Sequence, residues 1–108
     1  MNMFSSFFPN KENDLDGKTF KQRFENSNNG VLVDVRTAPE FNNGTIPGAI
    51  NLDFMSPGFQ KEVEKLNKEK TYFVFCRSGG RSSAAASVLR KIGLTSFNLI
   101  GGIGAWPH

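Results

Sequence analysis

A chain of 108 residues, 38% hydrophobic and 21% charged, has the composition of a globular protein and the length for one core and one domain. Its net charge of +3 comes from interspersed lysines, arginines and acids, with no Arg-rich stripe or aromatic–basic interleaving, which argues against a nucleic-acid surface. No apolar run approaches the ~20 residues of a membrane span, and the single cysteine excludes an internal disulfide, a cysteine-based zinc cage and an internal resolving thiol.

Residues 1–14 read as an N-terminal segment and residues 15–108 as the single domain. Phe4-Ser5-Ser6-Phe7-Phe8 is either a first edge strand or a hydrophobic tail, and Asn10–Asp14 is a polar linker. Met1–Pro9 lacks the basic n-region, long h-region and cleavage site of a signal peptide, and a lone thiol suits a reducing compartment, so the cytoplasm is expected. Asp16 then caps a helix, with Leu15 placed to staple against Phe20 and with Phe20 and Phe24 on its buried face.

Val31-Leu32-Val33-Asp34-Val35 is apolar and β-branched enough for a central strand. Thr37-Ala38-Pro39-Glu40 has the S/T-x-x-E spacing of a capping box and opens one helical turn that stops at Gly44. An Arg36–Glu40 ion pair is expected across that turn, as a structural feature. Asp34, at the strand's carboxyl end, either points at a site or satisfies backbone donors, the second being favoured. Ala49–Leu52 reads as a short strand. Ser56-Pro57 reads as a cap and first helical residue, before a helix with Phe59, Val63 and Leu66 inward and a solvated Lys/Glu face.

Tyr72-Phe73-Val74-Phe75 is a short apolar run suited to a strand buried on both faces. From Ser82 the period becomes helical, with Ala84, Ala85, Val88, Leu89 and Ile92 on one face and Gly93 as a C′ stop. Phe97–Ile100 is a last strand. Between strand and helix lies Cys76-Arg77-Ser78-Gly79-Gly80-Arg81. Two adjacent glycines let backbone N–H groups fold inward as an anion nest, and the following helix directs its N-terminus at the loop. Arg77 and Arg81 add cations, and Ser78 and Ser82 add hydroxyl donors. Together these lower a thiol pKa, each unit representing about 1.4 kcal/mol of preference for thiolate. A buried structural cysteine is the bland alternative, but it needs neither flanking arginines nor a Gly-Gly pair.

Cys76–Ser82 resembles the active-site loop of rhodanese-like sulfurtransferases. Asp34-Val35-Arg36 with Glu40-Phe41 and Gly44–Asn51 is similar to the first signature of that family, and Gly101-Gly102-Ile103 with Ala105-Trp106 to its last. Thr45 stands where family members usually carry His, at a position that looks structural. The resemblance covers roughly residues 18–106, with three motifs in family order. It implies an α/β, rhodanese-like three-layer sandwich, a mostly parallel five-stranded sheet with helices on both faces, of which the residues themselves support four strands. It further implies Cys76 as the catalytic nucleophile, and Arg77, Ser78, Gly79, Gly80, Arg81 and Ser82 as the substrate-binding loop. Asp34, Arg36 and Glu40 would support it.

The expected reaction is transfer of a sulfane sulfur from an anionic donor such as thiosulfate to cyanide or a thiol, through a Cys76 persulfide. No metal or cofactor is expected, and His108 reads as a solvated chain end. A protein persulfide partner is a further expectation, and a non-enzymatic relay or regulatory module, receiving persulfide from another protein or docking against it, an alternative reading. A phosphatase or arsenate reductase is a further one, although related phosphatases of this fold carry five residues between Cys and Arg. Here Arg77, Ser78, Gly79 and Gly80 stand between Cys76 and Arg81.

Overall fold

The computed structural model of the protein describes residues 12–108, so the Phe4–Phe8 segment lies outside the described residues. The elements alternate in chain order: β1 (Asp14–Leu15), α1 (Gly17–Asn26), β2 (Gly30–Asp34), α2 (Ala38–Asn42), β3 (Ile50–Asn51), α3 (Phe59–Glu64), β4 (Thr71–Phe75), α4 (Gly80–Lys91), β5 (Thr95–Leu99) and a 3₁₀ turn (Ile103–Ala105). All strand pairs are parallel, in the order β1-β5-β4-β2-β3. The fold is the five-stranded α/β sheet that the resemblance implies.

Strand parity splits the core in two, because successive side chains leave opposite faces of a sheet. Val33, Tyr72 and Val74 join Phe59, Val63, Ala85 and Leu89 on the face covered by α3 and α4. Leu32, Phe73, Phe75 and Leu99 join Leu15, Phe20 and Ile46 on the face covered by α1. There Phe20 meets Phe73 and Trp106 edge-on, at centroid distances of 5.5 and 6.1 Å. Burying each such phenylalanine contributes about 1.5–3 kcal/mol. None of the described helices is long and apolar enough to cross a membrane.

Local signals behave as their chemistry requires at both ends of several helices. Asp16 accepts from the Thr19 N–H at 2.8 Å. Thr37 and Glu40 close their capping box. At the end of α4, Gly93 (φ +92°) donates to Arg90 and Leu94 donates to Leu89, the two bonds of a Schellman stop.

Four expectations need correction. Asp14 belongs to the sheet, opposite Asn98, so the polar linker ends before it and the fifth strand is this two-residue edge. Helix α3 begins at Phe59, capped by Gly58, because Ser56 Oγ accepts from the Gly58 N–H and makes a turn instead of a helix cap. On α4, Ala84 is exposed while Ala86 and Ser82 are buried beside the expected Ala85 and Leu89, so the inward face is rotated by less than a quarter turn from the apolar pattern. Ile100 lies past the end of β5 and is 49% exposed.

Candidate active site

Strand β4 ends at Phe75, and the next side chain, Cys76, shares a face with Tyr72 and Val74. Parity therefore sends the thiol under α4, where the residue is 1% exposed. The chain then turns through Arg77 and Ser78 to Gly79, whose φ of +104° is a conformation L residues rarely adopt. Gly79 is the N-cap of α4 and has no side chain to satisfy the amides that the helix leaves unpaired. The cysteine sulfur takes that part. Sγ accepts from the Gly79 N–H at 3.0 Å and the Ser82 N–H at 3.3 Å, and the Ser82 hydroxyl lies within reach at 3.3 Å.

This environment acts on the thiol in opposing directions. Burial pushes its pKa up; the Ser82 hydroxyl and the amides of Ser82, Gly79 and Ser78 outweigh that and hold it below the ordinary cysteine value. The positive end of the α4 dipole acts in the same sense.

The two loop arginines differ in their surroundings. Arg77 is exposed and has no hydrogen-bond or ion-pair partner among the described residues. Arg81 reaches Glu40 through Nη1–Oε1 at 3.1 Å and Nη2–Oε2 at 3.4 Å. The Arg81 hydrogen bond, followed by the Thr37 amide, lowers the Glu40 pKa to about 2. Arg81 is itself raised, first by Glu40 and more weakly by its coulombic contact with Cys76.

The expected Arg36–Glu40 ion pair is therefore replaced by two others. Arg36 forks onto Asp34, with Nε at 3.0 Å from Oδ1 and Nη2 at 2.7 Å from Oδ2. Asp34 is fully buried and needs a cation, and Arg36 sits two residues on, on the same side of the extended chain. The capping box meanwhile swings Glu40 toward α4. Asp34 also accepts from the Arg36 N–H at 3.0 Å and the Thr45 hydroxyl at 2.8 Å, so its donors are one backbone amide and the side chains of Arg36 and Thr45. Thr45 is thus a structural donor. Arg36, raised in pKa mainly by Asp34, pins the Gly44 carbonyl at 2.7 Å.

Comparison with known proteins accords with this geometry. The family model of the rhodanese-like domain matches residues 16–108. The chain belongs to the rhodanese-like domain family. It is 35% identical over 98 residues to a sulfurtransferase of Allochromatium vinosum, covering 89% of each chain. It is 36% identical over 85 residues to thiosulfate sulfurtransferase 16, chloroplastic, of Arabidopsis thaliana, covering 68% of this chain and 71% of that one. A rhodanese-like domain protein from Staphylococcus aureus superposes with a TM-score of 0.76 at 27% identity, over 88% of this chain and 91% of that one.

Three features of this rhodanese-like loop escape a reading of the sequence. Gly80 has ordinary helical backbone, so only the first of the two loop glycines needs to be glycine for its φ. The Gly101-Gly102 turn presses on the loop from β5: a Cβ on Gly102 would collide with the Arg77 carbonyl, and the Ile103 N–H donates to the Cys76 carbonyl at 2.8 Å. Asn98, buried in β5, accepts from the Ser82 hydroxyl at 2.6 Å and donates through Nδ2 to Asp14 at 2.9 Å. A polar residue between Phe97 and Leu99 in an apolar strand is the one signal that could have marked it, since buried amides need partners. On this side a cleft of about 210 Å³ is walled by Asp14, Ser78, Asn98, Ile100 and Gly101.

Proposed function

We propose that this rhodanese-like protein is a thiosulfate-type sulfurtransferase working by double displacement on Cys76. The observation that carries the reading is the convergence of the Gly79 and Ser82 amides on one sulfur atom, with the Ser82 hydroxyl within reach of it. Such a cradle favours thiolate, and then holds the anionic terminal sulfur of a persulfide. The thiosulfate sulfurtransferase among its relatives supports the choice of donor.

In the first half-reaction the Cys76 thiolate attacks the outer sulfur of thiosulfate. A new S–S bond forms, the donor's own S–S bond breaks, and its electron pair leaves with sulfite. In the second, cyanide attacks the terminal sulfur of the persulfide, thiocyanate departs and the thiolate returns; a thiol acceptor leaves as its own persulfide. Neither step needs a histidine base, and the chain's one histidine, His108, is exposed at its end. Arg77 and Arg81 would attract the donor's oxyanion and stabilise charge on the leaving sulfite. The near-complete burial of Cys76 favours a slim sulfane end over a phosphoryl group with its ring of oxygens.

Thiocyanate formation by purified protein from thiosulfate and cyanide tests the reading, with intact mass for the persulfide, a gain of about 32 Da from one sulfur atom. The expected result is turnover and the adduct in the wild type, neither in Cys76→Ser, and negligible hydrolysis of an aryl phosphate. Substantial turnover by Cys76→Ser, or a phosphatase rate above the sulfur-transfer rate, would overturn it.

A further inference from the structure

The Ser82 hydroxyl has one proton and three acceptors within reach. Asn98 Oδ1 is at 2.6 Å, the Gly79 carbonyl at 3.2 Å and Cys76 Sγ at 3.3 Å. Asn98 could in principle turn either its oxygen or its NH₂ toward Ser82. Asp14 decides between them, because a carboxylate only accepts, and its Oδ1 lies 2.9 Å from the other end of the amide. Nδ2 must therefore face Asp14, and Oδ1 must face Ser82.

We propose that Asn98 and Asp14 are positioning residues for the candidate nucleophile: they hold the Ser82 proton away from the sulfur and so set the balance between thiol and thiolate at Cys76. With its proton on Asn98, Ser82 Oγ offers a lone pair to the S–H of the thiol. To stabilise the thiolate, the hydroxyl must rotate and leave the buried Asn98 oxygen without its donor. The edge strand β1, through one carboxylate, thus restrains the cysteine that follows the central strand β4. The proposal concerns the same cysteine as the sulfurtransferase reading and takes its functional meaning from it. Its test reads the thiol itself and does not depend on any sulfur transfer.

Other charges bear on the sulfur and on Asp14 directly. Arg81 on α4 couples to Cys76, Arg77 is its chain neighbour, and Arg90 on α4 couples to Asp14. A through-space change of charge at Asp14 must therefore be separated from a change relayed by Ser82, and a double-mutant cycle does this.

The lone cysteine makes the measurement clean: the pH dependence of iodoacetamide alkylation, checked by thiolate absorbance in the ultraviolet, reports Cys76 alone. In Asp14→Asn the Asn98 amide is free to flip, its NH₂ can donate to Ser82, and the hydroxyl proton passes to the sulfur. The thiol pKa is expected to fall by about 0.5–1, with three- to tenfold more thiolate wherever the thiol predominates, as for one redirected hydrogen bond. Asn98→Leu, which removes the competing acceptor at similar volume, is expected to shift it in the same direction. In a Ser82→Ala background the Asp14→Asn shift should shrink to less than about a third, leaving only the through-space part. An Asp14→Asn shift of equal size with and without the Ser82 hydroxyl, or no shift at all, would overturn the proposal. Should Asn98→Leu fail to fold, the Asp14/Ser82 cycle decides alone.

Discussion

Replacing Gly79 and Gly80 by alanine one at a time separates backbone strain from helix propensity at adjacent positions of the loop. At Gly79 an alanine must adopt φ +104°, and its Cβ would lie 3.3 Å from the Gly101 amide nitrogen and 3.5 Å from the Leu99 carbonyl. A left-handed L residue costs roughly 1–2 kcal/mol, and the tight contact with backbone adds to it, for a total of about 2–3 kcal/mol. For a domain of this size that is a fall in Tm of about 10–20 °C. The Gly79 N–H also donates to Cys76 Sγ at 3.0 Å, so displacing it should slow persulfide formation about 10- to 150-fold, as for a hydrogen bond to a charged group worth about 1.5–3 kcal/mol. At Gly80 the backbone is helical and an added Cβ meets nothing within 4 Å. Gly80→Ala should leave activity intact and stabilise by up to about 1 kcal/mol, because alanine loses less chain entropy on entering a helix. Thermal melts, with thiocyanate formation from thiosulfate and cyanide, measure both quantities. Equal losses at the two positions would refute the reasoning, since the loop would then need two glycines for reasons other than φ and space.

Arg77→Ala should raise the KM for thiosulfate, since Arg77 is exposed and unpaired among the described residues and loses only its attraction for the donor. Arg81→Ala should cost more, about 10- to 150-fold in kcat/KM, because it also turns Glu40 loose beside the site; Glu40→Gln in that background should restore part of the loss. Lys65→Ala, breaking an exposed 3.7 Å pair with Glu62, should change nothing, and equal small effects at Arg77, Arg81 and Lys65 would mean that long-range charge alone attracts the donor. Acid stability should depend on Glu40. Its pKa falls from 4.5 to about 2 on folding, so its contribution is fully present above about pH 4.5 and is lost as pH drops toward 2. Glu40→Gln should flatten the Tm–pH curve across that window, and an unchanged slope would show that the pair with Arg81 contributes nothing to folding.

By itself the sequence determined the features carried by short-range chemistry. The apolar run at Tyr72–Phe75, the capping box at Thr37–Glu40, the Asp16 cap and the Gly93 stop each act within a few residues, and each stands where its local pattern puts it. The strand–loop–helix order was legible for the same reason, and with it the placement of Cys76 at a strand end under a helix N-terminus. Partner choice was not. Arg36 had acids at Asp34 and Glu40 within a few positions, and only the burial of Asp34 and the arrival of Arg81 from the first turn of α4 decided that Asp34 takes Arg36 and Glu40 takes Arg81. Nor could spacing reveal that Asp14 pairs beside Asn98 across 84 positions, because a two-residue parallel edge strand acquires its register from β5 and has almost no pattern of its own. The tertiary fold alone brings that carboxylate, the Asn98 amide and the Ser82 hydroxyl into one chain ending at the sulfur. Each is a polar group that burial obliges to find a partner, and the nearest one in space is remote in the chain.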